Sequence, residues 1–183
     1  MSSDDDLVTL VAGIEAAAVT TLTALFAGPI VTAAPKPVGP LAAGALASHR
    51  QCRDALNAHV STPVLVAPDG IVDRLGLQNA DDAHELADVL TIATRVDDLL
   101  TQTCVQSVPQ ISDPTLRALL VQVAAAAGRR LGVLRTLAAM TPGELALALG
   151  PPVHPTVLSG HVGSAAAATS FVGTGDALSP EHA

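Results

Sequence analysis

The sequence predicts an all-α protein built as an antiparallel four-helix bundle. Hydrophobic residues make up 49% of the 183 positions, yet aromatic residues make up only 1%. The core must therefore consist of Ala, Leu and Val, whose small and γ-branched side chains suit close packing of helices, whereas sheets favour β-branched and aromatic residues. Apolar residues also recur three and four positions apart, which is the period of a helix with one buried face.

Four long segments carry this period and are separated by residues that begin or end helices. Asp4 to Asp6 supply a cap and favourable charge for the first helix, and Gly28-Pro29 ends it. Asn79 or Asp81 is expected to open the third helix, and Ser112-Asp113-Pro114 to open the fourth. The predicted helices span residues 7–27, 41–59, 81–108 and 114–140. Their predicted buried faces include, in chain order, Leu7, Val11, Ile14, Ala18, Leu22 and Leu25; Leu56 and His59; Leu90, Val96 and Leu100; and Leu116, Leu120, Leu131, Leu134 and Ala138.

The segments between and after these helices complete the domain plan. Residues 60–79 form a connection too long for a simple turn, which suits a crossover from one end of a bundle to the other. Thr141-Pro142-Gly143-Glu144 resembles a capping box and predicts a short fifth helix ending at Gly150. We therefore predict a helical domain over residues 1–150 and an extended or disordered tail, rich in Gly, Ser, Ala and Pro, over residues 151–183.

Charge excludes one class of function and supports the pairing of two helices. The chain has 17 acidic and 9 basic residues, a formal net charge of −8. Without a basic patch or aromatic stacking surfaces, it is not expected to bind nucleic acid. The charged residues of the third predicted helix are mostly acidic, whereas the fourth helix carries four arginines and no acidic residue. These two helices should therefore lie side by side and antiparallel.

The first helix is apolar enough to raise the alternative of a membrane span or a signal sequence. From Leu7 to Ala34 the only charged residue is Glu15. However, the residues that precede this apolar segment are acidic, and no basic or aromatic anchors flank the segment. We expect a buried bundle helix in a cytoplasmic protein, with an exported form as the alternative.

Cys52 and Cys104 are the only cysteines, and their spacing fits no zinc motif. One interpretation is two buried free thiols that act as small hydrophobic residues. The other is a disulfide between two helices, which requires an oxidising compartment. The sequence leaves both open.

Two stretches of sequence resemble bacterial ferritin-like domains of unassigned function. Residues 116–137, which end in Arg-Leu-Gly-Val-Leu-Arg-Thr-Leu, resemble their last bundle helix, and Ser48 to Leu56 resembles their second. The likeness covers about residues 7–140 and is one of pattern and spacing. It implies a site for two metal ions, held by a Glu on helices one and three and by Glu-x-x-His on helices two and four.

This chain departs from that ligand set at most positions. Glu15 and His49 are the surviving candidate ligands, while Leu46, Ala93 and Ala127 stand where carboxylates are expected. Arg130 stands where the last His is expected. We therefore predict no dinuclear metal site and no cofactor. An altered metal site around Glu15 and His49 is the alternative.

Three charged residues border the apolar faces of their helices: Glu15, Asp97 and Arg130. Our hypothesis is that Arg130 supplies the positive charge that a metal would supply, and pairs in the core with Glu15 or Asp97. A buried charge requires such a partner. The alternative is that all three lie at helix edges and reach solvent.

No motif for catalysis was found. The chain has no Gly-x-Ser-x-Gly and no glycine-rich phosphate loop after a strand, so we assign no catalytic residue. The function expected is a non-catalytic binding or structural subunit that associates with itself or with a protein partner. A metal-binding protein and a membrane-associated protein are the alternatives.

Overall fold

The computed structural model describes residues 3–34, 38–75 and 83–139. Over these ranges the protein is all-α, as predicted, and contains no strand. Its elements are α1 (Asp4–Ala27), α2 (Pro29–Thr32), α3 (Val38–Asn57), α4 (Asp69–Leu75), α5 (Leu86–Ser107), a 3₁₀ turn (Val108–Gln110) and α6 (Pro114–Ala139).

The four long helices pack as two pairs. α1 packs along α3, and α5 packs along α6 after a connection of only a few residues. The pairs meet mainly where α1 lies against α5, with smaller contacts of α6 with α1 and α3. α4, in the predicted crossover, rests on α1 and α5. The space between the four long helices therefore holds the core.

The N-terminal turn of α1 begins three residues before the predicted start because all three aspartates belong to the helix. The Ser3 hydroxyl accepts from the Asp6 amide at 3.1 Å, and the Asp6 carboxylate accepts from the Ser3 amide at 2.9 Å. Asp4 accepts from the amides of Ser112 and Asp113, just before α6. The turn is thus fixed both by its own capping box and by a distant part of the chain.

The bounds of α3 and α5 also differ from the prediction. α3 begins at Val38 because Pro40 is tolerated in a first turn, where its missing amide is not needed. It ends at Asn57, whose side chain bonds the backbone of Val64, so that His59 lies beyond the helix and is exposed rather than on the buried face. α5 begins at Leu86.

The later start of α5 follows from hydrogen bonds made by Asp88, in its first turn. The Asp88 carboxylate accepts from the amides of His84 at 2.8 Å and Glu85 at 3.0 Å. These bonds satisfy amides that precede the helix, and they set its beginning five residues after the predicted position.

α1 is the most buried helix. Its predicted apolar face is buried throughout, and the largest fully buried side chains of the core include Leu22, Leu56, Leu100 and Leu120. By length and composition alone α1 could cross a membrane, with a mean hydropathy of 1.8, and 56% of the apolar window is buried inside the protein. In the described structure α1 is the element around which α3 and α5 pack.

Two sequence predictions concern residues that the structure does not describe. The short fifth helix over residues 141–150 and the tail over residues 151–183 lie outside the described ranges. Within α6 the predicted buried face is correct as far as Leu131, whereas Leu134 is half-buried and Ala138 is exposed.

Candidate functional site

Four charged or titratable side chains meet in the core, one from each long helix. Glu15 of α1, His49 of α3, Asp97 of α5 and Arg130 of α6 are only 0%, 1%, 1% and 5% exposed. Each lies on the inner face of its helix among apolar neighbours. Solvation of these groups by water is therefore replaced by contacts among themselves.

Glu15 and His49 form the first pair of this cluster. The Oε2 atom of Glu15 lies 2.7 Å from Nδ1 of His49, which is a short hydrogen bond between α1 and α3. The other ring nitrogen, Nε2, lies 3.8 Å from Oδ1 of Asp97. The imidazole therefore lies between two carboxylates and links three helices.

Arg130 forms the second half of the cluster. Its Nε donates to Oδ1 of Asp97 at 2.9 Å, and its Nη1 donates to Oγ of Ser48 at 2.7 Å. Its Nη2 lies 2.7 Å from the same Asp97 oxygen and 3.9 Å from Oε1 of Glu15. The guanidinium of Arg130 on α6 thus contacts Asp97 of α5 and Ser48 of α3, and lies near Glu15 of α1.

The electrostatics of the cluster keep its arginine charged. Burial alone lowers the pKa of Arg130, but the adjacent carboxylates of Asp97 and Glu15 more than offset it and raise the pKa above its ordinary value. Burial raises the pKa of Asp97, and the charges of Arg130 and His49 oppose that rise. A permanent cation in the core therefore lies beside acids that depend on it.

The two cysteines flank this cluster as free thiols. Cys104 is buried and Cys52 is half-buried. Burial, followed by the nearby charge of Glu15, raises the pKa of each thiol to about 12. Because the thiolate is the nucleophile, neither cysteine is suited to covalent chemistry in the folded protein at neutral pH.

The cluster does not fit a dinuclear metal site of the kind that the resemblance implies. The Arg130 guanidinium lies against the Asp97 carboxylate and would repel a metal ion there, and Leu46, Ala93 and Ala127 offer no ligand atoms. Within the described ranges, no group of three or more His, Cys, Asp or Glu side chains is arranged to hold a metal ion.

One member of the cluster, Ser48, was missed in the sequence. It is buried and accepts the hydrogen bond from Arg130. The signal was present, since Leu41, Ala45, Ser48 and Cys52 are spaced as one helical face. A serine on such a face requires a hydrogen-bond partner.

Comparisons of the chain with family models, curated proteins and solved structures found no match.

Proposed function

We propose that this protein is a ferritin-like four-helix bundle in which an arginine-centred charge cluster takes the place of a dinuclear metal site. On this proposal it acts without catalysis, as a binding or structural subunit that associates with copies of itself or with a protein partner. The observation that carries the proposal is the position of Arg130, in contact with Asp97 and Ser48 and near Glu15 at the centre of the four helices.

The arrangement of helices supports the ferritin-like part of the proposal. Two packed pairs of long helices, α1 with α3 and α5 with α6, are joined by a long connection that contains α4. This order suits a bundle with one crossover. The chemistry of the cluster supports the non-catalytic part of the proposal. Arg130 is paired with Asp97, and the raised pKa values of Cys52 and Cys104 keep both thiols protonated at neutral pH.

Metal analysis tests the replacement of the metal site. The purified parent, incubated anaerobically with Fe(II) or Mn(II) and then desalted, should retain less than one equivalent. The double variant Ala127→Glu/Arg130→His, which writes Glu-x-x-His into α6, should retain more metal than the parent. Two equivalents in the parent would refute the proposal.

Sedimentation over a range of protein concentrations tests self-association. Leu65 and Val66, in the segment between α3 and α4, are the most exposed large apolar side chains of the described structure, at 66% and 79%. An adjacent exposed apolar pair suits a protein contact. The parent should form a dimer or larger species, and replacing both residues with Ser should weaken it. A parent that remains monomeric, with no difference between the two proteins, would exclude association through this pair.

A further inference from the structure

A second feature of the core lies beside the charge cluster and has Arg130 in common with it. A cavity of about 60 Å³ opens between the last turn of α1, α2, the first half of α3, the start of α5 and the second half of α6. Since one water needs about 10–15 Å³ of such space, it can hold several non-hydrogen atoms. Its walls are almost entirely apolar, with contributions from Phe26, Val89, Val133 and Leu137.

Two arginines are the only charged residues among the described residues that line this cavity. Arg130 is already held by Asp97 and Ser48. The Nη2 atoms of both arginines are buried and make no hydrogen bond among the described residues, but that of Arg130 lies 2.7 Å from an Asp97 oxygen, whereas no described carboxylate forms an ion pair with Arg129. Burying a donor of a charged group without an acceptor is unfavourable. An anionic or strongly accepting ligand would therefore be stabilised at this position.

The apolar wall and the unpartnered Nη2 donor of Arg129 together indicate which kind of ligand would fit. An apolar cavity selects an alkyl chain, and the planar fork of an arginine matches a carboxylate through two parallel hydrogen bonds. None of the described lining residues is acidic, so nothing in the wall would repel an anion. A site with apolar walls and a few placed polar groups is typical of small-molecule pockets.

We propose that this cavity binds a slender anionic amphiphile, an alkyl chain with a carboxylate head, and that Arg129 binds the head group. The inference goes beyond the proposed function, since it depends neither on the loss of the metal site nor on self-association. Apolar chains enter the cavity between α3, α5 and α6, and the carboxylate satisfies the Arg129 Nη2 donor.

Calorimetric titration of the full chain with octanoate tests this proposal, with 1-octanol as the neutral ligand of the same length. Octanoate should bind saturably at one site per chain and more tightly than octanol. Arg129→Gln should weaken octanoate binding by about tenfold or more, the effect of losing a hydrogen bond to a charged group, and should leave octanol unchanged. The matched control is Arg135→Gln, which removes the same charge from α6 at an exposed position paired with Asp98 and should not change either affinity.

Methyl nuclear magnetic resonance locates the ligand and separates it from other occupants. Octanoate should shift the methyl signals of Val133 and Leu137 and leave those of Leu56, in the core but outside this cavity, unshifted. Four results would overturn the proposal: no saturable binding of octanoate, equal affinity for octanoate and octanol, an unchanged affinity in Arg129→Gln, or through-space contacts showing that residues 140–183 of the chain fill the cavity. Circular dichroism of each variant verifies that it is folded.

Discussion

Replacing Arg130 should destabilise the protein far more than replacing its neighbour Arg129. In the structure the Arg130 guanidinium makes hydrogen bonds to Asp97 and Ser48 and lies 3.9 Å from Glu15, and only 5% of the residue is exposed. Arg130→Met keeps much of the side-chain volume but leaves Asp97 buried without its cation. Breaking a buried pair in this way costs about 3–5 kcal/mol. That is a large part of the roughly 5–15 kcal/mol that stabilises a typical domain.

Arg129→Met is the matched control, because it makes the same chemical change one position away. The buried Nη2 of Arg129 has no partner among the described residues, so its removal breaks no hydrogen bond of that atom. The expected change in the free energy of unfolding is within about 0.5 kcal/mol, or slightly stabilising. A larger loss in Arg129→Met than in Arg130→Met would show that the orientation assigned to α6 is wrong.

A double variant separates the interaction from the loss of the side chain. Arg130→Met/Asp97→Leu removes both charges, and replacing a buried pair by apolar residues is often neutral or stabilising by about 1–4 kcal/mol. The double variant should therefore be more stable than Arg130→Met alone, as measured by urea denaturation with unchanged slopes. The single variant Asp97→Leu completes the comparison. If the losses of stability in Arg130→Met and Asp97→Leu sum to the loss in the double variant, Arg130 and Asp97 are not energetically coupled.

The pH dependence of Arg130→Met gives an independent reading of the same pair. Burial raises the pKa of Asp97, and Arg130 opposes that rise, so the variant should raise it further. A folded-state pKa above the unfolded value of 3.8 gives stability that is present below 3.8 and is lost as the pH rises through the folded pKa. The stability difference between variant and parent should consequently shrink as the pH is lowered towards 4. A difference that grows on acidification would contradict this assignment.

Three further predictions concern the core, the thiols and the N-terminal turn. Leu120→Ala, at a fully buried position, should cost about 2–5 kcal/mol, and Leu131→Ala, at 8% exposure, should lie near the lower end; equal denaturation midpoints for Leu120→Ala and the parent would refute the packing of α6. With pKa values raised to about 12, Cys52 and Cys104 should react with a disulfide reagent at pH 8 only after unfolding, and a stoichiometric reaction of the folded protein would exclude their burial. Hydrogen bonds from the amides of Ser112 and Asp113 lower the pKa of Asp4, so its contribution to stability is present above 3.8 and lost as the pH falls through the lowered pKa. Asp4→Asn should be less stable than the parent at pH 7 in urea denaturation, and the difference should narrow as the pH falls below 3.8.

The helical class and the inner faces of the long helices could be predicted from sequence because both depend on local period and composition. Leu22, Leu100 and Leu120 occupy predicted apolar faces and are fully buried. The inward position of Arg130 could be predicted for the same reason, since Arg130 lies three residues after Ala127 on one helical face. The beginning of α6 at Pro114 was also predicted, but those of α1, α3 and α5 were not. At α1 the first turn is held in part by a distant contact, that of Asp4 with Ser112.

The cavity beside Arg129 could not be predicted either. It results from small side chains on facing helices, including Ala42, Ala93 and Ala126, whose separations are set only when the helices pack. In the sequence these alanines are indistinguishable from others that pack tightly, such as Ala127. A void is a property of the assembled core, and a periodic pattern carries no information about it.

The bond between Asp4 and the amide of Ser112 joins residues 108 positions apart and has a consequence for biosynthesis. At about 5–20 residues per second, roughly 5–22 s separate the translation of these two residues. Until α5 and α6 have left the ribosome, α1 can pack only on the elements before them, which are α2, α3 and α4. The face of α1 that later meets α5 therefore stays uncovered on the nascent chain, where a chaperone that binds apolar segments has its longest opportunity to act.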